Sequence, residues 1–391
     1  MRPDLTSHEL VKHLSNKESQ TEDVIGLLEL MQEPATPKDI AEQHPVDQKA
    51  VHEVADPLEP WGVERVSDRG HRQITTAGEA ARRALATALE TVEADNLTWL
   101  ARSENRKQIL DYLHDEGPAS AQKISTMESF PVKKTIRQNF DEFEERGWAS
   151  CEEQAESRTI VASLNMDGER VASTYDDLLM KMTQVIDKAP CLRDLGLECA
   201  DIPLKALAEA EMEEATPRYP FDIEKRVRKL SDSDFQHFRG FQSHWNGENA
   251  KAYLTAVKEG KEFEVISRPL SLKELPTSPD EVKCVIDGLR AENYRWLMYT
   301  SDLPCSLLIL DRNQMMVGPR DPSTANDTRT GGIFSQNDDL IKWAMDMYES
   351  HRRQSKDPLE ISTGFSIGVG DLIELLRSRY LTEDNEVSSG T

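Results

Sequence analysis

Residues 104–148, ENRKQILDYLHDEGPASAQKISTMESFPVKKTIRQNFDEFEERGW, decide the fold of the front half of this chain. In ENRKQILDYLHD (104–115) the apolar residues recur at the three- and four-residue spacing of an amphipathic helix. Gly117 and Pro118 end that helix, a short one starts at Ser120, and a longer one runs from about Pro131 to Arg146, where Gly147 and Trp148 stop it. The same order occurs upstream. EDVIGLLELMQE (22–33) predicts a helix, Pro34 and Thr36 open a short one that reaches about Gln43, and a third spans about Asp47 to Asp56 ahead of Trp61 and Gly62. Ile40 corresponds to Ile124 at an offset of 84, Gly62 to Gly147 at 85, and the pair Gly78, Glu79 to Gly168, Glu169 at 90. The front half therefore reads as an internal duplication.

Each third helix precedes two short strands, 62–66 and 73–75 in the first copy, 148–152 and 159–164 in the second. A trailing helix follows each pair, about 77–94 and 168–188. This order predicts tandem winged helix-turn-helix modules over 22–95 and 98–188. Ala81, Leu85, Leu89 and Val92, and then Val171, Leu178, Met182 and Val185, form apolar stripes suited to packing within the chain, with a homodimer seam as the alternative. After Pro190 the pattern changes. β-rich runs at 262–267, 296–300, 306–311 and 315–318 alternate with helical segments near 222–230, 246–259, 279–292 and 338–355. That predicts an α/β domain over 190–355, closed by an extension, 356–391, with a helix at 370–380. The expected fold class is a multidomain α+β and α/β chain.

A winged helix places its third helix in the major groove of double-stranded DNA and touches the backbone or minor groove with its wing. Residues 22–76 carry 12 acids against 5 Lys and Arg, and residues 104–164 carry 12 against 8, so local arrangement must supply any binding. In the second module Val132, Ile136, Phe140 and Phe143 are expected in the core, which leaves Lys133, Lys134, Arg137 and Gln138 on the outer face of the helix's first half. The acids Asp141, Glu142, Glu144 and Glu145 fall in the second half. In the first module Lys49 lies on the third helix, and the wing carries Arg65, Arg69, His71 and Arg72 around Gly70. A tip of that kind suits a narrow minor groove.

The whole chain, 391 residues, has a net charge of −24, so nonspecific attraction to nucleic acid or anionic lipid is not expected of it. The acids are spread from Asp4 to Glu386 through periodic segments, which suits a cytoplasm of very high salt better than disorder. Five cysteines without metal-binding spacing read as reduced thiols. The start, MRPDLTSHELVKHL, has no apolar core of a signal peptide, and no membrane span is expected. His237, His244 and His351 sit in no HxK or HExxH pattern, and glycine-rich GFSIGVG (364–370) reads as a turn because it lacks the phosphate-loop Lys. No catalytic residue, metal site or cofactor is expected. Arg268 after FEVI, Asp302 after WLMYT, and Arg320 and Asp321 after MMVG follow the ends of predicted strands and are the candidate ligand residues.

Several stretches resemble one known family: LARSENRKQIL (100–110), DEFEERGW (141–148), EGKEFEVISRPLSLKEL (259–275), DLPCSLLILDRNQMMVGPRD (302–321) and GGIFSQNDDLIKWAMDMYESHRRQS (331–355). They are similar to archaeal, mostly haloarchaeal, winged-helix transcriptional regulators with the sensor domain of the methanogenesis regulatory protein. Trp343 to Arg352 carries the marker WA..MYE..R. The resemblance implies DNA-binding transcription regulation and a C-terminal domain that senses a small-molecule or protein effector. The chain departs from the family in an acidic second wing (Glu152, Glu153 and Glu156 against Arg158) and in the turn TMESFPVKK, which lacks the usual Gly. A protein-interaction adaptor whose winged helices no longer bind DNA is the alternative expectation.

Overall fold

The computed structural model describes residues 6–15, 21–44, 46–67, 70–154, 159–214, 234–242, 247–268, 283, 287–288, 290–319 and 331–357. It divides into two units, Met1–Ala189 and Pro190–Thr391. No helix among the described residues is long and apolar enough to cross a membrane. The expected helices at 222–230 and 370–380, most of 279–292, and the GFSIGVG turn lie outside the described residues.

The first unit opens with a helix absent from the sequence reading, α1 (Ser7–Leu14), closed at its start by a Thr6–Glu9 capping box. Then come α2 (Thr21–Leu30), α3 (Pro37–Gln43), α4 (Gln48–Ala55) and an antiparallel pair, β1 (Val63–Arg65) and β2 (Arg72–Ile74). Thr36 caps α3: its hydroxyl accepts from the Asp39 amide at 3.2 Å, and Asp39 Oδ2 accepts from the Thr36 amide at 3.1 Å. α5 (Thr76–Leu89) and α6 (Ala94–Ala101) lead to the second copy: α7 (Glu104–Glu116), β3 (Ala119–Ser120), α8 (Ala121–Ile124), α9 (Lys133–Glu145), β4 (Ala149–Gln154), β5 (Thr159–Leu164) and α10 (Met166–Leu192). The strands of this copy form a three-stranded antiparallel sheet, β3-β5-β4.

The two copies share one junction, atom for atom. Thr75 N donates to Gly62 O at 3.0 Å and Thr75 Oγ1 to Trp61 O at 2.7 Å. Asn165 N donates to Trp148 O at 3.0 Å and Asn165 Nδ2 to Gly147 O at 2.7 Å. Each residue also caps the helix it opens, accepting from Gly78 N at 3.1 Å and from Gly168 N at 3.0 Å. Trp61 is therefore the counterpart of Gly147, and Gly62 of Trp148. The expected match of Gly62 to Gly147 is one residue out of step, because Trp and Gly exchange places between the copies.

The stripes Val171, Leu178, Met182, Val185 and Ala81, Leu85, Val92 are buried within the single chain. α1 ties the copies together: His13 Nε2 lies 3.2 Å from Val54 O in the first, and His8 Nδ1 lies 3.2 Å from the Tyr175 hydroxyl in the second. The guanidiniums of Arg106 and Arg146 lie over the Trp99 ring of α6, at 4.0 and 4.2 Å from its centroid, holding the linking helix to the second copy.

The second unit is a seven-stranded mixed sheet, with β6 (Glu211–Glu214), β7 (His237–Gln242), β8 (Glu262–Ser267), β9 (Tyr294–Met298), β10 (Ser306–Leu310), β11 (Gln314–Gly318) and β12 (Gly331–Ser335) in the order β6-β12-β11-β10-β7-β8-β9. β7, β8 and β9 run parallel and the other pairings are antiparallel. Every residue of β10 is buried, as both faces of a central strand require. Phe238, Phe263 and Val265 form an apolar cluster with Ala256 and Val257 of α11 (Gly247–Lys258). On the opposite face Phe241 stacks on Tyr348 of α12 (Asp338–Gln354), with ring centroids 5.8 Å apart. β6, β7 and β12 were not expected from the sequence.

Candidate nucleic-acid interface and effector cleft

α9 buries Ile136, Phe140 and Phe143 against α8 and β4. Val132, expected beside them, is 71% exposed: it is the N-cap residue, with extended backbone, so its side chain leaves the helical stripe. Lys133, Lys134, Arg137 and Gln138 are all exposed and project from one arc of the first half of the helix. Lys133 Nζ donates to Gln122 Oε1 of α8 at 3.0 Å. Lys134 and Arg137 make no ion pair with a described residue. Asp141, Glu144 and Glu145 are exposed further along the helix. Lys134 and Asp141 are seven residues apart, roughly 10 Å along the axis. The face is thus basic at its start and acidic at its end. Lys123 of α8 adds a further exposed cation beside this face, over the Tyr112 ring at 5.8 Å.

Lys49, Arg65 and Arg72 of the first copy are each paired within it. Lys49 Nζ pairs with Glu53 at 3.1 Å, and Arg65 pairs with Glu59. Arg72 corrects the expectation of a tip contact: it is the first residue of β2, 2% exposed, paired with Asp56, hydrogen-bonded to His52 at 3.0 Å and 3.6 Å from Glu59. Burying a guanidinium demands such partners, and Asp56 and Glu59 at the end of α4 supply them. Burial raises the Asp56 carboxyl, but its bonds to Arg72 and His52 outweigh that and hold it below the ordinary carboxylate range. His71 Nδ1 lies 2.6 Å from the Ser67 hydroxyl, closing the turn. Arg69 lies outside the described residues, as do Glu156 and Arg158 of the expected second wing.

In the second unit the strand register brings the carboxyl ends of β8 and β11 to the same edge of the sheet, where Ser267 follows the run FEVI and Gly318 pairs with Ser306. Ser267 is buried: its hydroxyl accepts from Trp296 Nε1 and its carbonyl from Tyr299 N, both at 2.8 Å. Arg268 and Asp302 follow at this edge but line neither of the clefts of about 490 and 500 Å³ in this unit; Arg320 and Asp321 lie outside the described residues. A cleft of about 490 Å³ lies at the opposite edge, over the amino ends of β7, β8 and β9. Arg239, Glu264 and Arg295 are register partners across these three strands. Glu264 accepts from the Tyr348 hydroxyl at 3.0 Å and from Arg352 Nε at 2.6 Å, and lies 3.3 Å from Arg295 Nη1. Burial, and then the Glu264 charge, push the Tyr348 phenol well above its ordinary value, so it stays a proton donor. The marker WA..MYE..R thus acts through Tyr348 and Arg352, which fasten α12 to β8. A second cleft, about 500 Å³, is lined by Glu198, Asp201, Asp339 and Asp346 with Lys342 and His351. Among the described residues no group of His, Cys, Asp and Glu could hold a metal ion.

No curated protein matches the chain in sequence. Among solved structures, TrmBL2, an archaeal chromatin protein with a novel mode of DNA binding, aligns at 8% identity and a TM-score of 0.30, over 65% of this chain and 100% of that one. NucT from Helicobacter pylori aligns at 10% identity and a TM-score of 0.29, over 38% of this chain and 98% of that one. Nuc from Salmonella typhimurium, a phospholipase D family member, aligns at 16% identity and 0.29, over the same shares. In sequence, residues 220–354 match the family described as the middle domain of the methanogenesis regulatory protein FilR1.

Proposed function

We propose that the chain is a DNA-binding transcriptional regulator whose first unit holds tandem winged helix-turn-helix modules and whose second unit is an effector-sensing domain. It acts as a regulator rather than an enzyme, in a cytoplasm of high salt. The observation that carries this reading is the exposed basic start of α9, with Lys134 and Arg137 free of acidic partners among the described residues in a chain of net charge −24. In a winged helix that is the part of the third helix that enters the major groove. The match of residues 220–354 to a domain of a regulatory protein supports the same reading. The second module is then the DNA reader, and the first, with Lys49, Arg65 and Arg72 paired internally, is mainly a scaffold. Chromatin immunoprecipitation of the tagged chain and of a Lys133→Ala, Lys134→Ala, Arg137→Ala variant tests it: discrete peaks that vanish in the variant are expected. Absence of peaks in the parent chain, or peaks that persist in the variant, would sink it. An adaptor role is the second reading, favoured by the paired cations of the first module and by exposed Glu152 and Glu153 on β4.

A further inference from the structure

The cleft over the amino ends of β7, β8 and β9 is lined by Arg239, Arg295 and Arg352 together with Glu262, Glu264, Glu292 and Glu349. Arg239 and Arg295 flank Glu264 on neighbouring strands, so their Cα atoms are two strand spacings apart, roughly 10 Å. Arg352 reaches Glu264 from α12. Two guanidiniums, those of Arg295 and Arg352, therefore hold the Glu264 carboxylate, whose hydrogen bonds and ion pairs are taken up by them and by Tyr348. Glu349, 3.7 Å from Arg352 Nη1, offsets part of the remaining charge, and Glu262 and Glu292 stand at the mouth, Glu262 3.4 Å from His237 Nε2. Arg239 is half-buried on the cleft floor and has neither an ion pair nor a hydrogen bond with any described residue. A half-buried guanidinium facing a cleft without a protein partner keeps its N–H donors available to a bound ligand. Its planar fork matches a carboxylate or a phosphoryl group.

We infer that this cleft binds a small oxyanion, a carboxylate- or phosphate-bearing metabolite, on Arg239 and Arg295, with Glu264, Tyr348 and Arg352 holding the floor in place. The volume suits a metabolite-sized ligand. The ligand would bridge β7 and β9 beside α12, so its presence bears on how α12 is held to the sheet. This names the ligand class for the effector domain proposed above, and it rests on that reading only for the regulatory consequence; binding itself is measured without DNA.

Isothermal titration of the full chain with inorganic phosphate and, separately, with succinate, at constant ionic strength and chloride, tests the site. Saturable binding of at least one anion at millimolar concentration or tighter is expected, and the stronger of the two tells phosphate from carboxylate recognition. Arg239→Ala should weaken it by about tenfold or more, and Arg239→Lys should recover only part, because a lysine keeps the charge and loses the fork. Arg353→Ala, which removes an exposed charge one residue from Arg352, should bind as the parent does. Because Arg239 pairs with no described residue, the Ala variant should melt at the parent temperature, which separates a lost site from a lost fold. No saturable binding of either anion up to about 20 mM, or equal binding by Arg239→Ala, overturns the assignment. Either result leaves the DNA reading standing, since that is read on α9.

Discussion

Gly78 lies against the carbonyl oxygen of Gly62 so closely that a Cβ on residue 78 would stand 2.0 Å from it. Gly168 meets the carbonyl oxygen of Trp148 in the same way, at 2.1 Å. Both obstacles are backbone, in the junction that joins a hairpin to its trailing helix, and backbone cannot turn aside as a side chain can. Gly78→Ala and Gly168→Ala should each destabilise the first unit by about 3 kcal/mol, seen as an earlier urea midpoint. A midpoint equal to the parent's in either variant would show that the approach is looser than this.

Removing the Arg72 side chain leaves Asp56 and His52 without their shared partner and opens a hole beside α4. Arg72→Ala should cost about 2 kcal/mol of stability, less than a fully buried pair because Asp56 is half-exposed. Arg65→Ala, on an exposed pair, should leave the melting curve in place. If the two variants melt together, burial is not what distinguishes them.

DNA affinity should depend on salt through the second module. Lys134→Ala with Arg137→Ala should reduce the slope of log K against log salt by about 2, one for each lost phosphate neighbour. Lys49→Ala should leave the slope unchanged, because Lys49 already pairs with Glu53. Anisotropy titrations at several salt concentrations measure both, and a slope that responds to Lys49 instead would move the interface to the first module.

Ser129, in the turn between α8 and α9, has φ of +77°, a region that favours glycine. Ser129→Gly should stabilise the unit by about 0.5–1 kcal/mol through relief of that strain. Destabilisation on thermal melting would mean that the hydroxyl carries more than the backbone loses.

Glu79 is buried, which by itself raises its carboxyl, yet its bonds from Arg82 at 2.7 Å and Arg83 at 2.8 Å bring it below the ordinary value. A group depressed in the folded state adds stability above its unfolded pKa, about 4.3, and that stability is lost as pH falls through the lower folded value. Stability should therefore decline on acidification below about pH 5, and the decline should be shallower in Glu79→Gln, which starts from a lower plateau. Parallel acid limbs in the two proteins would assign the decline to other carboxylates.

The periodicity of ENRKQILDYLHD and of the α9 segment, and the Gly-Glu pairs that open both trailing helices, made the duplicated front half legible, because each of these signals is local. The same reasoning placed Lys133, Lys134, Arg137 and Gln138 on the exposed arc of α9, since three core residues on one helix leave only one arc for them. It failed at Val132, where a helix end rather than its period sets the side-chain direction, and at β6 and β12, whose Glu-rich and Gly-rich residues carry little strand signal.

Spacing along the chain therefore carries the helix-helix-helix-hairpin order of both front copies and the buried faces of α9 and α10, whereas α1, β6, β7 and β12 leave no comparable local signal. The tertiary structure alone decided which charges are free. Arg72 looks like the other cations of its hairpin until folding brings Asp56, sixteen residues away, against it. Arg295 and Arg352 are more than fifty residues apart in sequence until strand register and the crossing of α12 bring both against Glu264, with Arg239 on the neighbouring strand. Charge pairing depends on distance in space, and in this chain that distance follows from parallel strand pairing and helix packing rather than from any local pattern.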